Sequence, residues 1–488
     1  MIRFIIGILI SLISIGFAKA ESSPMEQIEQ AMLHLKLDKA VSLTQELDSE
    51  GYQGYYQTNI LLYRYLTIQS SADLEKFREA WKPAIDALEA LSNKDPLKGI
   101  MIAELYGKRA ALEFLDGKNL KAVNLVRTCH KLIQQNVKRF PQDQSQNKLL
   151  GLFNVVFAAV PKKYQWITNM LGYKGNMDLG MRQLAAAAYY GELLPLEAEL
   201  IAYYVEKNTL GRPDLAIRRM EKARDRHGAG MLTDFLLASA YGVENKGEEA
   251  LAILEQGDRY GRDESILFIP FWDYVQGKSY YYKEDHRQAK AAFERFLGAT
   301  EGNIYKVDAT FRLGMTEVFL NENTAAKQRF QDLLSYEISP FDEDSYAQQL
   351  ARQFAITLPE ANLQLLFRAR NRFDGGYFKE ARRLLAQLDV EALSPGEKTE
   401  WYYRSGRVEH ALLEYDTALE SYRSAVSQPD AGEARWMQAY ASYYMGEIAR
   451  KQGKKEDAKA YYRTALGFDK YYYQSGLENR VKAALGSL

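Results

Sequence analysis

The chain has 488 residues, 47% of them hydrophobic and 26% charged, which are the proportions of a globular protein rather than a disordered or collagen-like one. Its 63 basic and 64 acidic side chains leave a net charge of −1, so it lacks the basic field with which proteins displace counterions from nucleic acid. One cysteine excludes a disulfide framework and a thiolate zinc site, and 33 glycines with 12 prolines are too few for a many-turned β-sandwich or propeller.

Residues 1–20, MIRFIIGILISLISIGFAKA, read as a secretory signal. Arg3 supplies the positive end, Phe4 to Phe17 the apolar stretch, and Ala18-Lys19-Ala20 the small-x-small pattern that predicts cleavage after Ala20. The apolar stretch is shorter than the ~20 residues of a spanning helix, and no cysteine follows it to take a lipid. The sequence therefore predicts a periplasmic or secreted protein with no stable membrane span after cleavage. The most apolar later stretch, Leu149 to Val160, is short and stopped by Pro161, as in a helix buried in a core.

Beyond the leader, apolar residues recur at i, i+3, i+4 and i+7, which predicts helices throughout. Residues 21–139 read as degenerate helical repeats centred on Ala40 and Ala122, with Cys129 at a small core position. Residues 140–191 break the pattern as a central helical insert. Residues 192–360 hold copies centred on Ala216, Ala250, Ala289 and Ala326, with an extra helix expected near Asp344 to Phe354. Residues 361–488 hold copies centred on Ala381, Ala418 and Ala458, then a capping helix from Leu477 to Leu485 that buries Val481, Ala484 and Leu485.

Four copies share one spacing. Gly446, Ala458, Tyr462 and Ala465 align with Gly406, Ala418, Tyr422 and Ala425. Gly314, Ala326, Phe330 and Leu333 follow the same spacing, as do Gly277, Ala289, Phe293 and Phe296. Within the last copy, Gly453 is placed to end one helix in the left-handed conformation. The pattern resembles the tetratricopeptide repeat, with its small eighth and twentieth positions, aromatic twenty-fourth and Ala twenty-seventh. That family's Trp at position four is missing; Tyr402 and Ser442 stand there. The resemblance implies an all-α solenoid of helical hairpins in a right-handed superhelix, here with eight or nine pairs and a non-standard insert. In the insert, Pro161, Leu171, Gly172, Tyr173, Gly175, Leu179 and Gly180 are similar to the signature of the tetratricopeptide-domain-39, or inclusion-body-clearance, family, which implies a non-catalytic scaffold. The run of Gly172, Gly175 and Gly180 lacks the Gly-Lys-Ser/Thr that a phosphate loop needs.

Catalytic signatures are missing. The five histidines form no H-E-x-x-H, His410 and Glu414 lack a third ligand, and no G-x-S-x-G occurs. No enzyme, metal or cofactor is expected. The tyrosines, 34 in all, are more informative. The resemblance implies a concave groove built from positions 2, 5, 9 and 12 of each first helix. Position 5 is then aromatic four times, as Tyr274, Phe311, Tyr403 and Tyr443. Lys278, Tyr281, Arg407, His410, Glu447 and Arg450 stand beside them. An exposed aromatic ladder with charges beside it predicts a protein or peptide partner, or a glycan stacked on the rings in a polysaccharide-export scaffold. Either use requires Tyr274, Tyr403 and Tyr443 to reach solvent. Packing against neighbouring repeats is the alternative use of the same rings.

Overall fold

A computed structural model describes residues 23–160, 172–261, 263–337, 342–429, 432–486 and 488. The leader 1–20, and Pro161, Trp166 and Leu171 of the insert, lie outside the described residues. Every regular element described is helical.

Contacts divide the chain into two units. The first holds the residues up to Ala240 together with Gln256–Pro270. Besides a single helical turn at Asp258–Gly261, its described helices are α1 (Pro24–Leu33), α2 (Leu37–Thr44), α3 (Glu50–Ile68), α4 (Ser71–Glu89), α5 (Pro96–Leu115), α6 (Asn119–Arg139), α7 (Asn147–Ala158), α8 (Met177–Tyr190), α9 (Pro195–Asn208) and α10 (Pro213–His227), packed as successive hairpins. Helix α11 (Met231–Val243) runs across the boundary. The second unit holds Tyr241–Glu255 and Phe271–Leu488. It contains α12 (Gly247–Leu254), α13 (Pro270–Lys283), α14 (His286–Ala299), α15 (Lys306–Phe319), α16 (Asn323–Leu334), α17 (Asp342–Phe354), α18 (Ala361–Asp374), α19 (Phe378–Leu385), α20 (Pro395–Ala411), α21 (Tyr415–Ser427), α22 (Arg435–Lys451), α23 (Lys455–Leu466) and α24 (Gln474–Gly486). The extra helix expected near Asp344 is α17. The expected cap is α24, which buries Leu477 and Val481 against α22 and α23.

Local chemistry sets the helix ends. Ser23 with Glu26 and Ser394 with Glu397 form capping boxes, and Pro24 and Pro395 occupy first-turn positions where a missing N–H costs nothing. The turns inside the hairpins repeat more closely than the residues do. Each of the core alanines at 40, 122, 216, 250, 289, 326, 381, 418 and 458 stands five residues after a left-handed residue: Leu35, Gly117, Gly211, Asn245, Glu284, Asn321, Gly376, Leu413 and Gly453. In all but the Gly211 turn, where Arg212 N–H reaches back six positions to Glu206 O, the next amide reaches back five positions to an orphan carbonyl of the first helix. Glu414 N–H to Glu409 O (2.9 Å) and Lys454 N–H to Ala449 O (2.9 Å) are examples of this Schellman closure.

Inside four hairpins an aromatic ring lies directly on the backbone of the first helix. A Cβ on Gly277 or Gly314 would fall 2.8 Å from the ring of Phe293 or Phe330. One on Gly406 would fall 2.6 Å from Tyr422, and one on Gly446 2.5 Å from Tyr462. These rings are fully buried and cannot retreat. The small eighth position is thus a seat for the aromatic twenty-fourth.

A second device stacks one hairpin on the next. A side-chain donor in the first two turns of a helix bonds carbonyls at or just past the end of the preceding helix, where the intrahelical ladder runs out. Trp272 Nε1 donates to Leu254 O (3.1 Å) and Trp401 Nε1 to Leu385 O (2.9 Å). Gln438 Nε2 donates to the carbonyls of Ala425, Val426 and Gln428, and Gln348 Nε2 to those of Tyr336 and Glu337. The tryptophan sought at position four stands one residue earlier, at 272 and 401.

The insert carries a hairpin with a different seat. Gly151 of α7 and Gly180 of α8 face one another, each placing a Cβ 2.9 Å from the other's carbonyl oxygen. Gly175 lies against the end of α7, where a Cβ would meet Ala158 N at 2.1 Å. Asn176 caps α8 through Leu179 N–H, and its own N–H donates to Asn154 Oδ1 (3.1 Å). Gly175 and Gly180 therefore let helices pack closely, whereas Gly172 stands open in the left-handed conformation.

The ring-on-glycine seat makes a sign-reversing prediction. Gly446→Ala gains ~1 kcal/mol of helix propensity but overpacks a buried ring, which typically costs about 1–3 kcal/mol. Thermal denaturation should show a net loss of up to about 2 kcal/mol in the wild-type background. With Tyr462→Ala already present, the same substitution should become neutral or stabilising. Equal effects in both backgrounds would show that the ring is not the cause.

Candidate functional site

Four groups of side chains meet on the first-helix face of the second unit. The first helices of neighbouring hairpins touch there, α18 with α20 and α20 with α22. Helix α13 presents Tyr274, Lys278, Tyr281 and Tyr282. Helix α15 presents Asp308 and Arg312. Helix α18 presents Arg370, Phe373 and Asp374. Helices α20 and α22 present Tyr403, Arg407 and Tyr444.

The aromatic ladder expected at position 5 does not reach solvent as required. Tyr274 is 4% exposed, Phe311 7% and Tyr403 2%, and Tyr281 at position 12 is 2% exposed. Tyr274 stacks on Tyr305 (4.5 Å between centroids) and donates to Asp308 Oδ2 (2.8 Å). Phe311 packs among Phe330, Phe354 and Phe367. Tyr403 packs on Trp436 and Tyr422. Tyr443 is half-buried against Tyr462 and Tyr444. Stacking of repeats consumes these rings, because an aromatic fills the wide space beside a glycine crossing. With them goes the surface on which a sugar ring would stack.

The charged candidates sort into spent and unspent groups. Glu447 accepts from Tyr462 and from Arg450, so Glu447 and Arg450 satisfy each other. His410 lies 3.4 Å from Tyr422 Oη, and burial, then Lys451 and Arg407, lower its pKa to about 4; it is a neutral packing residue at pH 7. Glu414 pairs with Arg382. Among the described residues no group of three or more His, Cys, Asp or Glu could hold a metal. Cys129 is buried beside Gly107, and burial pushes its thiol well above the usual range.

Lys278 and Arg407 are different. Both are partly buried, and among the described residues neither has a carboxylate within ion-pairing distance. Lys278 Nζ lies over the rings of Tyr274 (5.3 Å) and Tyr282 (5.9 Å). Burial, then neighbouring Arg312, draw its pKa down to about 8. The Arg407 guanidinium lies over Tyr444 (4.2 Å) and Phe373 (4.6 Å) and donates one hydrogen bond, to Tyr403 Oη (3.2 Å). The buried rings are therefore platforms for cations, a role that the residue pattern did not reveal. Arg312 and Arg370 lie between these two cations in chain order, paired with Asp308 (2.6 Å) and Asp374 (3.7 Å).

The first unit spends its charges internally. Lys148 Nζ bridges Glu104 Oε1 (2.8 Å) and Glu197 Oε2 (2.7 Å), and Lys108 Nζ bonds Glu197 Oε1 (2.8 Å) and Asn59 Oδ1 (2.6 Å). Tyr55 donates to Glu104, and Tyr56 to Glu29. All are buried. Two lysines balance two carboxylates, and burial pushes the third acid, Glu29, up to about 8, so it is neutral at pH 7. No sequence signal marked this network, because its members come from five helices far apart in the chain.

No protein-family model matches the chain, and no curated protein does. Similar solved structures include a monomeric mutant of IFIT1 with m7Gppp-AAAA, 14% identical over 90% of this chain and 95% of that one, with a TM-score of 0.31. They also include the apo quorum sensor NprR from B. thuringiensis, 14% identical over 83% and 97%, with a TM-score of 0.32. Likenesses this distant say nothing of what this chain binds.

Glu29 makes the first unit pH-sensitive. Its folded pKa is raised, so the stability it contributes is complete below about pH 4.5 and falls as pH rises towards about 8. Tyr56, the Leu194 amide, Lys148 and Glu197 face it. Glu29→Gln should be the more stable protein at pH 7, by on the order of 3 kcal/mol, with the gap closing towards pH 5. Urea denaturation at pH 5, 7 and 8 checks this; a gap independent of pH would contradict it.

Proposed function

We propose that the protein is an exported, non-catalytic repeat scaffold that holds a segment of a protein partner along the first-helix face of its second unit. One observation carries this reading. Lys278 and Arg407 are held in place by aromatic rings on a surface shared by successive hairpins, with their donors largely unspent. A side chain whose charge lacks a partner inside the fold, yet whose position is fixed, suits an external partner at small entropic cost. Export to the periplasm or beyond is part of the proposal and rests on the leader motif at 1–20.

Two experiments test it. Tyr444→p-benzoylphenylalanine in the native host should photo-cross-link a protein, and the same replacement at exposed Glu456 of α23 should not. Equal products from both sites would contradict binding on this face. Mass spectrometry of the envelope fraction should find a mature chain beginning at Glu21; an intact leader on a cytosolic chain would contradict export.

A further inference from the structure

We infer that the segment bound on this face is acidic, an extended peptide carrying at least two carboxylates, with Lys278 and Arg407 as their separate anchors. The inference rests on the scaffold reading above and names the chemistry of the partner. Around the face, among the described residues, Lys278, Arg312, Arg370 and Arg407, with Arg480 near Arg407, meet Asp308 and Asp374, and these two carboxylates are committed to Arg312 and Arg370. Burial alone would raise the Asp308 carboxyl, but Arg312 outweighs it and holds it below the usual range, so the pair stays ionised. Among the described residues, Lys278 and Arg407 thus keep positive charge uncompensated by a paired carboxylate, in surroundings that are partly desolvated. A carboxylate brought to each would restore balance, as Glu104 and Glu197 do for Lys108 and Lys148 in the first unit.

The two anchors differ in kind. Arg407 has a planar fork of five donors, of which one goes to Tyr403. The rings of Phe373 and Tyr444 fix its plane. That arrangement suits two-point binding of one carboxylate. Lys278 is a point charge over Tyr274 and Tyr282, suited to a carboxylate from several directions. The anchors sit on α13 and α20, with α15 and α18 between them in the order of first helices. An extended chain with spaced acids fits anchors set on separate hairpins. Nucleic acid is the less favoured anion. Its binding to single strands needs exposed rings for the bases, and the rings here are buried, while the chain as a whole carries −1.

The test uses the full chain and fluorescent ten-residue peptides of Ser and Ala carrying two Glu at every spacing. Gln counterparts and a dA10 oligonucleotide serve as controls. Peptides of one or a few spacings should bind, more weakly as salt rises, and their Gln counterparts should not. Lys278→Met and Arg407→Met should each weaken binding about tenfold, and Arg407→Lys should recover only part of the loss. Thermal stability separates this role from a structural one, because removing a half-buried cation that has no carboxylate should leave Tm unchanged or raised. Three results would overturn the inference: equal binding of Gln peptides, tighter binding of dA10, or variants that bind as wild type. If no acidic peptide binds while the cross-link at position 444 still captures a protein, the scaffold reading stands and the acidic partner falls. If both fail, both fall.

Discussion

A ring seated on a helix backbone is the contact on which the second unit depends. Phe293, Phe330, Tyr422 and Tyr462 each lie on a glycine so closely that a methyl group has no room. The seat brings the two helices of a hairpin together and sets their crossing. It also decides what else the hairpin can present. A narrow crossing beneath a large ring leaves wide flanks, and further aromatics fill them. Tyr274, Phe311 and Tyr403 are used in this way. The face that a partner could meet is then not the rings but what the rings hold.

The two units treat charge in opposite ways. The first closes its charges on themselves in a buried network whose count balances once Glu29 keeps its proton. Such a network is costly to desolvate and loses stability if one partner of its lysine–carboxylate pairs is removed, so it belongs to the fold rather than to a partner. The second unit leaves Lys278 and Arg407 with rings for neighbours and, among the described residues, no carboxylate within ion-pairing distance. A ring offers a cation partial compensation, on the order of 0.5–2 kcal/mol, and leaves its hydrogen-bond donors free. That difference between balanced and unbalanced charge is the physical ground for placing the partner on the second unit.

Much of the architecture was legible in the sequence. The spacing from Gly406 to Ala418 to Tyr422 to Ala425 encodes a contact, and even the weaker copies at Ala40, Ala122 and Ala216 stand five residues after a left-handed turn. The turns themselves were hidden, because Leu35, Glu284 and Leu413 take a conformation that sequence inspection assigns to glycine. The stacking tryptophans, Trp272 and Trp401, stand one place before the motif's fourth position, so the motif does not mark them. The site was half legible. Position in the repeat set Lys278 and Arg407 on first helices beside the rings, but burial cannot be read from residue type. A tyrosine at position 5 serves equally well as a core filler or as a ligand platform, and only the packing of the next helix decides which.

The central claim is that the rings are spent on packing while the cations are not. Hydroxyl-radical footprinting of the full chain, read residue by residue by mass spectrometry, tests it most directly. Tyr274, Tyr403, Tyr422 and Tyr462 should be protected, while Tyr190, 74% exposed, and Tyr305, 43% exposed, should be readily modified. Modification of Tyr274 and Tyr403 at the rate of Tyr190 would contradict the claim and restore an exposed aromatic ladder as the binding surface.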